Sequence, residues 1–500
     1  MNTWSVFSGA SVIATLLTTT SAFADVTNQE VWSAWKGIIE GVGYEVSGQE
    51  DQSSNKLTIS DLVVSFDLAP EEGTAVINFG EMTFEELGDG NVRVGMPTTI
   101  PINVDSNVDG EKSDVTLIAN LDGPDIVASG AAEDITYTYS ANSMAMDMTE
   151  LLVNGEPVDN IDVNMMMSTL SGVASIGDGD MTRFSKAFTA EHMSVKIDGD
   201  DPEKGKIDMN VDVTGLAFEG QGVMPLDVDP ENPSALFRGG FDMQGSLSSQ
   251  GSTVVVDAAD ENGQTNINMT TAASTLGIKT SDGVFNYDGS TTDVAFSMVG
   301  GDVPLPIVVN MDQLSYGLMM PLLKSTSPQD FGFSFKLGGL TISDLLWSMF
   351  DPKQMLPRDK ATISLALNGT TTLFEDLVSE SMEEAEEFPG ELNTLTLSEI
   401  LVDAVGASIA GDGAFTFDNT DMQTFDGMPR PEGSVALNLK GANALMDTLV
   451  AMGLLPEEQV MGARMMMAMF SVPGESEDEV NSVIEINAEG HVLANGQRIQ

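Results

Sequence analysis

The side chains able to make or break bonds are few. There is no cysteine in 500 residues, and the only histidines are His192 and His491. Neither lies in an H-E-x-x-H or H-x-H pattern, and a zinc site needs three or four closely placed ligands. There is no G-x-S-x-G elbow for an acyl-transfer serine. No G-x-G-x-x-G or Walker A loop offers a phosphate cradle. The 77 acidic residues allow many carboxylate pairings, so glycoside chemistry gains no specific support from them. Asp227-x-Asp229-x-Glu231 begins like a calcium loop, but Asn232 stands where its turn glycine belongs and Arg238 where its final glutamate belongs. We expect a non-enzymatic protein with no catalytic residues, no resident metal and no cofactor.

Methionine is the abundant functional side chain, at 31 residues. Met144, Met146 and Met148 alternate along one strand face, and Met165–Met167 and Met465–Met467 are runs. Thioethers are soft ligands for Cu(I), which keeps a copper or divalent cation buffer as a third reading. They also make an adaptable apolar lining in place of Leu and Ile. The lining reading is preferred, since flexible methionines suit variable acyl chains. Phe331, Phe333 and Phe335 form a second alternating set. These six residues are the expected ligand-binding positions.

Charge narrows the partners. With 20 basic residues against 77 acidic ones the formal charge is −57, and no Lys/Arg cluster could hold nucleic acid. The acids are dispersed, densest at Glu383-Glu384-Ala385-Glu386-Glu387, as on a solvated surface.

The first 24 residues read as an export signal. Val12–Leu17 is apolar but far short of the ~20 residues needed to span a bilayer, and Ala22-Phe23-Ala24 is a small-x-small cleavage site. The segment lacks Lys and Arg. Cleavage after Ala24 and a periplasmic location are expected.

The elements that would carry these residues are mostly strands. Thr27-Asn28-Gln29-Glu30 has capping-box spacing ahead of a helix with Val31, Trp32, Trp35, Ile38 and Ile39 on one face. Period-two alternation then recurs through Lys56–Leu62, Val76–Phe84, Ile135–Tyr139, Ile207–Val213, Phe331–Phe335, Ile363–Leu367 and Val435–Leu439. Asp-Gly pairs at 89–90, 109–110, 122–123, 198–199, 282–283 and 288–289 suggest hairpin turns. Later helices are expected over Ser343–Phe350, Leu373–Glu387, Asn443–Met452 and from Pro456 to Phe470. The fold class expected is mainly β: a long curved antiparallel sheet or sheets forming a groove or sandwich, with a few amphipathic helices. A single sheet of this length should curl or split. Pro225–Pro233 divides the chain into 1–24, an N-terminal helix plus β-meander half at 25–230, and a C-terminal β half with helices at 231–500.

Two phrases recur. Leu57-Thr58-Ile59-Ser60-Asp61-Leu62 returns identically at 340–345 and loosely at 395–400. Val153-Asn154-Gly155-Glu156-Pro157-Val158 is echoed at 494–499. Duplicated β units and chance reuse of a good strand-turn string explain this equally well.

The C-terminal third carries Asp351-Pro352-x-x-x-Leu356-Pro357-Arg358-Asp359, the run from Pro431 through Gly433, Val435, Leu437 and Leu439 to Gly441, and Gly490–Ile499. With the N-terminal helix these resemble the alphaproteobacterial domain of unknown function 2125 family, which implies no catalytic residues. The closing strand with its Asn-Gly is also similar to AsmA-like envelope proteins, which implies an elongated β surface that shelters lipid. Expected partners are therefore a lipid or other apolar ligand or, as the alternative, a periplasmic or outer-membrane protein docked through the helices near Trp347 and Met465.

Overall fold

A computed structural model describes residues 25–500 apart from 42, 69–72, 109, 178–180, 202–204, 226–231, 262, 301–302, 380–381 and 383–387. The signal segment, the first residue of the 109–110 pair, the calcium-like carboxylates at 227–231 and the acidic run at 383–387 lie outside the described residues. Among the described residues there are five helices, and the 27 strands form one antiparallel sheet.

The N-terminal part contains α1 (Asn28–Gly41), β1 (Glu45–Ser53), β2 (Lys56–Asp67), β3 (Gly73–Glu86), β4 (Val92–Gly95), β5 (Thr99–Val108), β6 (Glu111–Asp122), β7 (Asp125–Ala131), β8 (Asp134–Val153) and β9 (Glu156–Pro157). Long strands β10 (Ile161–Gly177), β11 (Met181–Asp201) and β12 (Gly205–Pro225) follow. Next come α2 (Pro233–Arg238), β13 (Asp242–Ser249), β14 (Gly251–Asp260), β15 (Gly263–Thr271), β16 (Ser274–Ser281), β17 (Val284–Gly300), β18 (Val303–Pro321) and β19 (Gln329–Ile342). The chain closes with α3 (Asp344–Phe350), β20 (Ala361–Leu373), β21 (Gly390–Ala404), β22 (Ala407–Asp418), β23 (Arg430–Lys440), α4 (Ala442–Ala451), α5 (Glu457–Phe470), β24 (Val472–Pro473), β25 (Glu479–Ile486), β26 (Val492–Ala494) and β27 (Gln497–Arg498).

The ladders make a continuous meander. β3 pairs with β5 along one half and β4 along the other, and β8 closes the same unit on β6 and β7. The arrangement is repeated: β12 pairs with β14 and β13, and β17 closes on β15 and β16. These pairings carry the sheet unbroken across Pro225–Pro233. Of the two alternatives for a sheet this long, the strands keep to one sheet.

A transverse crease runs across the meander. Positive φ occurs at Asp61 (52°), Gly80 (65°), Thr169 (52°), Gly215 (59°), Asp293 (50°) and Gly339 (67°). Register aligns them: Thr169 lies opposite Glu191, which lies opposite Gly215, and Asp293 lies opposite Asp312. In the split strands the same line is a full break, as at Gln250 between β13 and β14. Each left-handed residue inserts one step of changed direction, so the apolar alternation changes phase there: Met165 and Met167 give way to Leu170, and Tyr287 to Val294. The apolar side stays the same. Trp32 of α1 packs on Phe84 beyond the crease while Trp35 packs on Phe79 before it, and Leu57, Ile59 and Leu62 are all fully buried in one cluster.

That cluster is the main buried core, and α1 is its lid. Thr27 and Glu30 form the expected box: Glu30 N–H donates to Thr27 Oγ1 at 3.3 Å and Thr27 N–H to Glu30 Oε2 at 2.8 Å. The other helices match expectation at 344–350, 442–451 and 457–470. Three expectations fail. Leu373 ends β20 and residues 374–379 are turns, so no helix starts there; Asp376 is instead tied down by Lys324 N–H and the Arg238 guanidinium. Asp198-Gly199 and Asp288-Gly289 lie inside β11 and β17 rather than in turns.

Candidate functional site: an open apolar sheet face

Register turns the alternating residues into rows. On the β6–β19 side of the crease one row runs Ala119, Met146, Met165, Val195, Val211 and Val254. It continues through Met269, Phe296 and Val309 to Ile342 without a polar residue. A row on the other side of the crease reaches Ile278, Tyr287, Leu318, Phe333, Leu367 and Leu397. Strands lie ~4.8 Å apart, so ten strands span roughly 43 Å.

Under α1 the apolar face is buried, through Leu57, Ile59, Leu62, Phe84, Val92 and Ala128. Beyond it most members of the rows are half-buried, and Phe333 keeps 41% of its surface and Leu318 38%. Among the described residues all strands belong to one sheet, and these members keep part of their surface open.

The face is also smooth. At two glycines of this face a neighbouring ring lies across the gap: a Cβ on Gly289 would come within 2.5 Å of the Tyr316 ring, and one on Gly222 within 2.5 Å of Phe184. Glycine gaps roofed by aromatic rings are a known sheet device. The opposite face is polar. Asn164 donates to Asp147 at 2.9 Å and Asn266 to Asp257 at 2.6 Å. Depressions of about 460 and 610 Å³ lie there, the first floored by Ser185, Gln221, Gln244 and Lys279, the second by Asp208, Asp257 and Asn266.

The expected ligand-binding residues fall on the apolar face in two groups. Met144, Met146 and Met148 pair with Met167, Met165 and, on the other side, Leu117. Phe331, Phe333 and Phe335 pair with Gly369, Leu367 and Leu365. The groups do not meet: eight strand steps and the crease separate them. Sequence reasoning missed the rows joining them, because rows depend on register. It also missed an apolar cleft of about 460 Å³ lined by Phe388, Phe417, Met422, Phe425 and Met428 at the ends of β21–β23.

Other candidate chemistry stays dispersed. His192 Nε2 lies 3.1 Å from Asp212 on the polar face, and His491 lies near the C-terminal edge. Among the described residues no group of three or more His, Cys, Asp or Glu is placed to hold a metal. Asn232 caps α2 through Ala235 N–H at 3.1 Å.

At the α3 turn Asp351 has no exposed surface. Burial pushes its carboxyl up, but the Met355 and Leu356 N–H groups at 2.8 and 3.0 Å and the nearby Arg358 outweigh that and hold it below the usual range. Arg358 also pairs with Asp344 and sits 5.6 Å over the Trp347 ring. The Asp351–Arg358 phrase is thus a structural loop that anchors α3. On α5, Met461, Met465 and Met469 recur every four residues and are exposed by 61% or more. Among the described residues no helix is long and apolar enough to cross a membrane.

Residues 235–495 match the family model described as an uncharacterized protein conserved in bacteria, DUF2125. No curated protein and no solved structure matches the chain. The matched segment starts in α2 and ends at the Asn-Gly hairpin, covering the β13–β26 part of the sheet, and on that match the chain belongs to the domain of unknown function 2125 family.

Proposed function

We propose that this is a non-enzymatic exported envelope protein, of AsmA-like type and periplasmic in an alphaproteobacterium, that binds lipid or another apolar ligand on the apolar face of its sheet. The observation that carries this reading is the set of uninterrupted, half-exposed apolar rows. Contiguous apolar surface that stays partly open marks binding surfaces. The methionines at 144, 146, 148, 165 and 167 give part of it the adaptable packing that variable acyl chains require.

The test is native mass spectrometry and lipid extraction on protein purified from its own envelope. Stoichiometric lipid, lost when Val211 and Val254 are changed to Asp, is the expected result. A lipid-free monomer that takes up none on incubation would overturn it. The exposed stripe Met461, Met465 and Met469 favours a second reading, in which α5 docks an envelope protein; a stable hetero-complex lost in M465D would support it. A cation buffer ranks third, testable by calorimetry with Ca²⁺ and Cu⁺.

A further inference from the structure

Across β8 to β25, hairpin ends aside, every charged residue but one points to the polar face of the described ladders. The exception is Lys186. It occupies an apolar-face position in β11, between Phe184 and Phe188 on its own strand. Its register partners are Ala174 and Gly220, neither of them charged, and the Phe218 ring lies over Gly220. Lys186 is exposed, and no carboxylate among the described residues pairs with it. In a chain of 77 acidic and 20 basic residues, this puts one positive charge on a stretch of surface free of other charges between its hairpin ends. The row continues from Gly220 through Gly245, Ile278, Tyr287 and Leu318 to Phe333.

We infer that Lys186 is the head-group anchor of the apolar face: it receives the single negative charge of a lipid head while the acyl chain lies along the row toward Phe333. The inference rests on the lipid reading above. Its chemistry is complementarity in both parts of the ligand. An ammonium is a compact three-donor point charge that suits a carboxylate or phosphodiester oxygen. Opposite charges attract more strongly beside apolar walls than in bulk water. Elsewhere the acidic excess repels an anionic head, so Lys186 also sets where along the sheet the lipid lies. One lysine balances one charge, which favours monoanionic heads over dianionic ones.

The experiment uses the full mature chain, with oleate and its uncharged counterpart monoolein as probes, read by native mass spectrometry and by displacement of a fluorescent fatty acid. At low salt the wild type should prefer oleate by about threefold to tenfold, the range expected of one partly solvated ion pair. K186R should keep the preference, K186M should abolish it with monoolein binding unchanged, and 0.5 M salt should weaken it. Equal binding of both probes by the wild type, or an undiminished preference in K186M, overturns the inference while leaving the lipid reading intact. Binding of neither probe removes the lipid reading itself. If K186M self-associates with its preference unchanged, Lys186 is a guard against sheet stacking and the anchor is refuted.

Discussion

At the residue scale, two interactions give direct predictions. Glu479 begins β25 and accepts from the Asn438 side chain at 2.7 Å, from Ser476 Oγ at 2.8 Å and from Ser476 N–H at 3.1 Å, with Lys440 at 3.5 Å. Chiefly through the Asn438 and Ser476 side chains, its carboxyl is lowered to about 2. A carboxylate lowered on folding stabilises the native state above its unfolded pKa, and that contribution disappears as pH falls through the folded value. Acid titration followed by near-UV circular dichroism should therefore show loss of the C-terminal region between pH about 4.5 and about 2. E479Q should be less stable at neutral pH and have a flatter acid limb; an unchanged limb would show that other carboxylates govern it. The second prediction concerns the ring over Gly289. An added methyl must displace Tyr316, whose hydroxyl lies 3.4 Å from that of Tyr287. G289A should cost about 1–3 kcal/mol by urea denaturation. The loss should shrink in a Y316L background, because the pair is coupled through one contact.

At the element scale, α1 and the crease do the positioning. Trp32 is 2% exposed, packs 5.7 Å from Phe84 and donates its indole N–H to Glu50 at 2.8 Å. W32A should cost about 3–5 kcal/mol. Since α1 covers the first part of the apolar face, the same variant should bind more of an apolar dye; unchanged dye binding would mean that the face stays covered without it. The crease is tested at Asp293, whose φ is 50°. A β-branched residue is strained there by about 1–2 kcal/mol, so D293V should lower the urea midpoint and D293G should not. The repeated phrases show how context uses such local signals. Asn154 and Asn495 both open Asn-Gly hairpins with positive φ, and each side chain accepts from a neighbouring strand, from Lys112 N–H at 3.1 Å and Val483 N–H at 2.9 Å. The hexapeptide 57–62 stays in β2 and bends at Asp61. Its identical copy at 340–345 leaves the sheet at Ser343, which caps α3. The looser copy shifts register between Leu397 and Ile400.

At the scale of the whole molecule, one sheet carries an acidic, hydrogen-bonded face and an apolar face whose main buried cluster lies under α1. If the apolar face is the binding surface, stripping bound lipid from native protein should raise dye binding and lower thermal stability, as removal of any ligand of the native state does; stability unchanged on delipidation would count against it. The sequence by itself determined the β class, the helices at 28, 344, 442 and 457, and the alternation placing Met144–Met148 and Phe331–Phe335 on apolar positions. These follow from local physics: period two, caps, and proline or glycine at ends. The failed turns at Asp198-Gly199 and Asp288-Gly289 mark the limit of that physics. Glycine reads as a turn residue from its own freedom, whereas Gly289 is in a strand because a tyrosine from the next strand lies over it. Tertiary structure alone decided the registers that join methionines, valines and phenylalanines into rows, the crease that keeps them on one side, and the isolation of Lys186 among them. Each depends on which strands become neighbours, and a single residue's slip in any ladder would send its apolar set to the opposite face.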